Sequence, residues 1–206
     1  MKRNVFIAVA GAALLAAVSA RAANVADEWD SIKRPAAPAL KPVTVDTKTT
    51  ALLMLDFMNQ NCGKRPRCVA SIPAAKKLLA EARAAKVAVV YSIINKTTTA
   101  DVIKDVAPLP TEPHVLAGPD KFLHTDLEKI LKDKGIKTVI AVGTSSNGAV
   151  FFTASGAAFR GMNVIVPVDG MSSADPIAEY ATVLDFETAP LVSKKTTLTK
   201  IGMIKF

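Results

Sequence analysis

Cysteine, histidine and aromatic residues are all scarce in this chain of 206 residues. Two cysteines exclude a scaffold held together by many disulfides. Two histidines leave too few ligands for a histidine-rich metal site. Aromatic residues make up only 5% of the chain, so the core must consist mainly of Ala, Val, Ile and Leu. Because half of the residues are hydrophobic and 21% are charged, the composition is typical of a folded globular protein and excludes a disordered chain.

The chain also lacks a concentrated run of basic residues, although its formal net charge is +8. Its lysines and arginines are scattered along the sequence and are not interleaved with aromatic side chains. This pattern indicates a solvated surface rather than a face that binds nucleic acid. We therefore expect no nucleic-acid partner.

The first 22 residues have the three parts of a secretory signal peptide. Two basic residues precede an uncharged apolar run over 5–18, and an A-x-A cleavage site follows at 20–22. A transmembrane anchor is the rival interpretation, but the apolar run has 14 residues and a membrane-spanning helix needs about 20. We predict an exported protein, periplasmic or secreted, with no stable membrane anchor and with a signal peptide over 1–22.

Cys62 and Cys68 are the only cysteines of the chain. A single pair with this spacing and no nearby histidine is a poor signal for zinc, because a structural zinc site needs four ligands. In an oxidising compartment, a short loop closed by a disulfide between Cys62 and Cys68 fits better. Two free thiols remain the alternative.

Segments typical of strands and of helices alternate along the remaining chain. Residues 23–48 contain three prolines and are predicted to form an N-terminal arm, which leads into a domain over 49–206. Continuous apolar runs predict buried strands over 50–56, 87–94, 114–116, 137–143 and 163–167, with a last short strand near 191–193. Amphipathic or capped segments predict helices over 71–86, 125–134 and 147–160, and a last helix that begins at Asp175 and Pro176. This alternation indicates one α/β domain with a parallel sheet and helices on both faces.

In a sheet of this kind, ligands bind beyond the carboxyl ends of the strands. Asp56 ends the first predicted strand, and a carboxyl group on a buried strand end can act as a general acid or base. The plainer alternative is that Asp56 caps a helix or only orders its own loop. Backbone N–H groups in the turn after the strand over 137–143 could hold an anion, so Ser145, Ser146 and Asn147 are candidate substrate-binding residues.

Four segments together resemble the isochorismatase-like superfamily, which includes isochorismatases, nicotinamidases and other cysteine hydrolases. They are LMLDFMNQN over 53–61, FLHTDL over 122–127, VGTSSNGAVFFTA over 142–154 and VPVD over 166–169. The resemblance implies a single doubly wound α/β domain with about six parallel strands in the order 3-2-1-4-5-6. It also implies a small-molecule substrate or ligand and assembly into homo-oligomers, dimers or tetramers. We expect no cofactor.

Cysteine hydrolases of this superfamily use an Asp, a Lys and a nucleophilic Cys, and the match places Asp56 on the acid. Ala149 occupies the position of the nucleophile, and its methyl group cannot form an acyl-enzyme, so we do not expect a thiol-dependent amidase. The family's lysine falls where this chain has Leu116. Lys121 is the nearest lysine, and it can take this role only if the loop over 117–120 is rearranged.

The metal site of nicotinamidases has no counterpart, because no Asp-x-His cluster follows Asp56 and the two histidines, His114 and His124, stand alone. We expect no metal. Two functions stay open. One is a hydrolase without a covalent nucleophile, in which Asp56 is the general acid/base; isochorismatases themselves also lack the thiol and use the Asp as an acid to hydrolyse a vinyl ether. The other is a catalytically inactive protein of the same fold with a binding or structural role.

Export can be tested on the full chain produced in a Gram-negative bacterial host. We expect the intact mass of the exported fraction to match a chain that begins at or near Ala23, because signal peptidase cleaves after the A-x-A site. Recovery of the uncleaved chain in the membrane fraction would contradict export and favour an anchor.

Overall fold

The computed structural model describes residues 24–206, so the predicted signal peptide over 1–22 lies outside the described residues. The chain divides into two compact units after Ala36. In the described part of the first unit there is one short helix, α1 (Val25–Glu28), which the side chain of Asn24 caps. The second unit begins at Ala37, earlier than the domain boundary predicted at 49. Residues 37–48 of the predicted arm therefore belong to the second unit.

A parallel sheet forms the centre of the second unit. The strands of this unit are, in chain order, β1 (Val43–Thr44), β2 (Thr50–Leu55), β3 (Ala88–Ile93), β4 (His114–Leu116), β5 (Thr138–Thr144), β6 (Asn163–Pro167), β7 (Met171–Ser172), β8 (Thr196–Thr199) and β9 (Ile204–Lys205). The main sheet has the order β4-β3-β2-β5-β6-β8, and β7 pairs with the end of β5. All of these pairings are parallel. Counted along the chain, the six strands of the main path follow the order 3-2-1-4-5-6, which confirms the predicted fold class.

Helices cover both faces of this sheet. They are α2 (Pro66–Ala84), α3 (Leu127–Asp133), α4 (Phe151–Phe159), α5 (Pro176–Thr188) and α6 (Val192–Lys195). Alternate side chains of β2 show the two faces, because Leu52 and Met54 pack in one core with α2, whereas Leu53 and Leu55 pack in a second core with the other helices. Burial on both faces explains the uninterrupted apolar run of β2. None of the helices within 24–206 combines the length and the apolar character needed to cross a bilayer.

Local sequence signals identify the start of α5 correctly but misplace the start of α2 and the last strand. The side chain of Asp175 accepts a hydrogen bond from the Ile177 amide at 2.7 Å, so α5 begins at the predicted place. The start of α2 was predicted too late, because Pro66 fits the first turn of a helix and the helix begins there. The last strand was also misplaced. The chain forms α6 directly after Leu191, whose φ is 65°, and the strand follows as β8.

A disulfide joins Cys62 to Cys68, with the two Cα atoms 5.2 Å apart. It connects the 3-10 turn over Cys62–Lys64, which follows β2, to the first turn of α2. Both cysteines are fully buried. The predicted pairing is confirmed, and it closes a short ring at the carboxyl edge of the sheet.

Loss of this disulfide should lower the free energy of unfolding by about 2 kcal/mol, because a ring of this size restricts the unfolded chain by that amount. The measurement is urea unfolding of the protein with and without a reductant. The variant Cys62→Ala/Cys68→Ala serves as the control and should be insensitive to the reductant. An unchanged unfolding midpoint for the reduced wild-type protein would contradict a stabilising role.

Candidate active site

Asp56 lies directly after β2, at the carboxyl edge of the sheet. Its φ of 56° is in the left-handed region, which Asp adopts more readily than most residues other than glycine. The Asp56 amide donates to the carbonyl oxygen of Ser92 at 3.3 Å and to its hydroxyl at 3.2 Å. The same hydroxyl donates to Oδ1 of Asp56 at 2.7 Å. Ser92 of β3 therefore fixes both the backbone and the carboxyl group of Asp56.

The Lys121 ammonium reaches the other oxygen of this carboxylate. Nζ lies 2.7 Å from Oδ2 of Asp56, and it also donates to the carbonyl oxygen of Gly118 at 2.7 Å. Lys121 is fully buried and Asp56 is only 5% exposed, so solvent and salt screen this ion pair little. Leu116, at the position of the family's lysine, is instead half exposed. The ammonium that contacts Asp56 therefore comes from the loop after β4, five residues later in the sequence than Leu116.

Gly143 allows the end of β5 to approach β2 beside Asp56. Its φ is 141°, and a Cβ at this position would lie 2.0 Å from the carbonyl oxygen of Leu55. Only glycine permits so close an approach of two backbones. The glycine of the sequence motif therefore aligns the strand that carries Asp56 with the strand that leads into the next turn.

An irregular turn over Ser146–Val150 follows β5, where the sequence predicted the regular start of a helix. Gly148 has φ −129° and ψ −105°, outside the helical region, and α4 begins only after the turn. The amides of Gly148 and Val150 both donate to the carbonyl oxygen of Ser145, at 3.1 and 3.2 Å. Of the N–H groups that were expected to hold an anion, that of Ser146 donates to the Ser173 hydroxyl at 3.2 Å. The peptide bond before Ser145 is cis.

A cleft of about 360 Å³ opens at this edge of the sheet. Among its lining residues are Asp56, Arg65, Asn95, Thr144, Ser145 and Ala149. The structure thus brings together Asp56, Ser145 and Ala149, which the sequence singled out, and Lys121 lies directly behind Asp56. A larger depression, around Gly135 and Asn163, lies at the opposite edge of the sheet and contains none of these residues.

Ser146 and Asn147 do not line the cleft. The Ser146 hydroxyl is fully buried, lies 2.7 Å from the Ser173 hydroxyl and accepts a hydrogen bond from Thr182 at 3.3 Å. The Ser173 hydroxyl donates in turn to Oδ1 of Asn147 at 3.1 Å. These side chains connect the irregular turn to the segment before α5 by hydrogen bonds. Of the three predicted substrate-binding residues, only Ser145 faces the cleft.

The two histidines are exposed, His114 in β4 and His124 in the segment before α3. Within 24–206, no group of three or more His, Cys, Asp or Glu side chains is placed to hold a metal ion.

Sequence reasoning missed Arg65 and Ser92. Arg65 lies in the ring closed by the disulfide, and its Nη1 donates to Oγ1 of Thr144 at 3.1 Å. The loop after the first strand must cross the carboxyl edge, so its charged residues were candidates for the site. Ser92 was recognisable as the polar side chain within an apolar strand, because a buried hydroxyl needs a partner.

Residues 50–194 match the sequence profile of the isochorismatase domain, which is more than half of the chain. The chain belongs to the isochorismatase family. Comparison with curated protein sequences gave no match.

Solved structures of isochorismatase-like proteins share this fold. The cysteine hydrolase from Pseudomonas syringae pv. phaseolicola is similar with a TM-score of 0.69 at 18% identity, over 83% of this chain and 95% of that one. The isochorismatase family protein from Desulfovibrio vulgaris has a TM-score of 0.67 at 19% identity, over 75% and 95% of the two chains. The isochorismatase-like hydrolase from Alkaliphilus metalliredigens has a TM-score of 0.67 at 25% identity, again over 75% and 95%. At these identities the similarity concerns the fold.

Because the ion pair is buried, removing one of its charges should lower the free energy of unfolding more than removing both. Lys121→Met leaves the Asp56 carboxylate buried without its partner, which should lower the free energy of unfolding by about 3–5 kcal/mol. Asp56→Asn/Lys121→Met removes both charges and should recover much of this loss. Urea unfolding of both variants and of the wild type measures the effect.

Lys129→Met is the matched control, because Lys129 pairs with Asp133 on the exposed face of α3. Lys129→Met should lower the free energy of unfolding by less than about 1 kcal/mol. If Lys121→Met lowers the free energy of unfolding no more than Lys129→Met does, the buried pair does not stabilise the fold in the way described.

Proposed function

We propose that the mature protein is an exported hydrolase of a small molecule, in which Asp56 is the general acid/base and no covalent nucleophile takes part. The observation that carries the proposal is the buried contact of 2.7 Å between Lys121 and Asp56 beside the cleft. Removing two charges from water is costly, so an ion pair of this kind at a cleft is typical of a functional site. Membership of the isochorismatase family supports the hydrolase class.

The Asp56 carboxylate retains the acceptor capacity that a general base needs. Ser92 donates one hydrogen bond to Oδ1 and Lys121 donates one to Oδ2. Each carboxylate oxygen has two lone pairs, so each can accept a further hydrogen bond from a water molecule. The two donors also hold the carboxyl group in one orientation.

In the proposed reaction, the Asp56 carboxylate takes a proton from a water molecule, and the water oxygen attacks the electrophilic carbon of a substrate in the cleft. The bond between that carbon and the leaving group then breaks. The protonated Asp56 returns its proton to the leaving group, which regenerates the carboxylate and consumes one water molecule.

Ala149 explains why the proposal contains no covalent step. It lines the cleft with a methyl group, at the position that the resemblance gives to the nucleophile. Cys62 and Cys68 cannot replace a nucleophilic thiol, because they are bonded to each other. The same alanine favours the second candidate, a catalytically inactive protein of this fold with a binding or structural role.

Two features support export. The sequence over 1–22 has the organisation of a signal peptide. The disulfide also suits an oxidising compartment, since such bonds seldom persist in the cytosol.

A hydrolysis screen with small esters, amides and enol ethers tests the proposed function. For any substrate that the wild type hydrolyses, Asp56→Asn should lower kcat at least about a hundredfold, because the amide can neither take a proton from water nor donate one to an enol ether. Treatment with iodoacetamide should leave the wild-type activity unchanged, since both cysteines are in the disulfide.

Asp185→Asn, on the exposed surface of α5, is the control and should not change kcat. Full activity of Asp56→Asn would remove Asp56 from the mechanism. If the wild type hydrolyses none of the three classes, the binding or structural role is favoured instead.

A further inference from the structure

Arg65 carries the only charge in the cleft, among the described residues, that no other side chain neutralises. The charged lining residues of the cleft are Asp56 and Arg65, and Asp56 is paired with Lys121. Arg65 takes part in none of the ion pairs found within 24–206. With Lys121 included, the site therefore has one excess positive charge.

The Arg65 guanidinium is held in place at one of its nitrogens. Its Nη1 donates to Oγ1 of Thr144 at 3.1 Å, and the Thr144 hydroxyl donates its own proton to the carbonyl oxygen of Ser172 at 3.2 Å. Because that proton is used, the hydroxyl oxygen can serve as an acceptor for Arg65. A guanidinium has five N–H donors, so most of them remain for a ligand in the cleft.

The backbone around Arg65 is fixed as well. Cys62 and Cys68 close a ring around it, and Pro66 begins α2 immediately after it. A charged group that is held in place before binding loses less entropy when a ligand arrives.

We propose that the cleft selects small molecules that carry a carboxylate group, and that Arg65 binds this group. The planar guanidinium matches a carboxylate through two parallel hydrogen bonds, and a carboxylate also neutralises the excess positive charge of the site. If the protein is the hydrolase proposed above, the scissile bond of such a substrate lies toward Asp56, so the substrate class rests on that proposal. The binding of a carboxylate by Arg65 does not depend on the proposed hydrolase activity.

Binding of non-hydrolysed probes tests this inference separately from catalysis. The probes are benzoate and propionate, each compared with the primary amide of the same shape, and inorganic phosphate. Ligand-detected NMR or calorimetry at millimolar concentration gives the dissociation constants. We expect the wild type to bind the acids at least about tenfold more tightly than the amides, the scale of a hydrogen bond to a charged group.

Arg65→Gln should abolish the preference for acids and leave the weak binding of the amides unchanged. Arg65→Lys keeps the charge but not the paired donors, so it should retain only part of the preference. Lys64→Gln removes one positive charge from the adjacent exposed residue, which does not line the cleft, and is expected to bind the acids as the wild type does.

The inference is overturned if the wild type binds neither acid, or binds the amides equally well. Equal losses in Arg65→Gln and Lys64→Gln would also overturn it, because they would indicate a general effect of charge. Tighter binding of phosphate than of either carboxylate would contradict the proposed ligand class. An active-site role of Asp56 could fail while the preference for acids persists, so the two proposals are tested independently.

Discussion

The ion pair between Asp56 and Lys121 is the contact on which the carboxyl edge of this molecule depends. Two buried charges are tolerated only when they touch and when their remaining hydrogen-bonding groups have partners. Ser92 and the Gly118 carbonyl provide such partners, one for each charge. The register of β2 and β3, with Leu55 opposite Ser92, delivers the first of them. The pairing of the strands and the geometry of the site are therefore specified by the same contacts.

Lys121 reaches Asp56 from a different sequence position than the one that the family's spacing indicates. The family's spacing points to Leu116, which is half exposed and far too apolar for the role. The ammonium comes instead from the end of the loop after β4, and it still reaches Asp56 at 2.7 Å. A lysine is a point charge on a flexible stem of four carbons, so several backbone positions can bring it to the same carboxylate.

Sequence reasoning succeeded where local pattern and burial agree. The apolar runs identified the central strands, the Asp-Pro pair identified the start of α5, and the family resemblance supplied the strand order. The two-residue strands β1, β7 and β9 have no pattern of their own and were not predicted. The side on which Ser146 and Asn147 lie was not predictable either, because contacts with Ser173, far along the chain, decide it.

The disulfide and the candidate site had no visible relation in the sequence. In the structure they meet, because the loop that follows β2 must pass over the end of the sheet where Asp56 lies, and the ring between Cys62 and Cys68 is part of that loop. Closing the ring restricts the unfolded chain, and it restricts the backbone of Arg65 in the folded protein by the same covalent bond. This disulfide therefore contributes both to the stability of the domain and to the placement of the Arg65 cation in the cleft that Asp56 also lines.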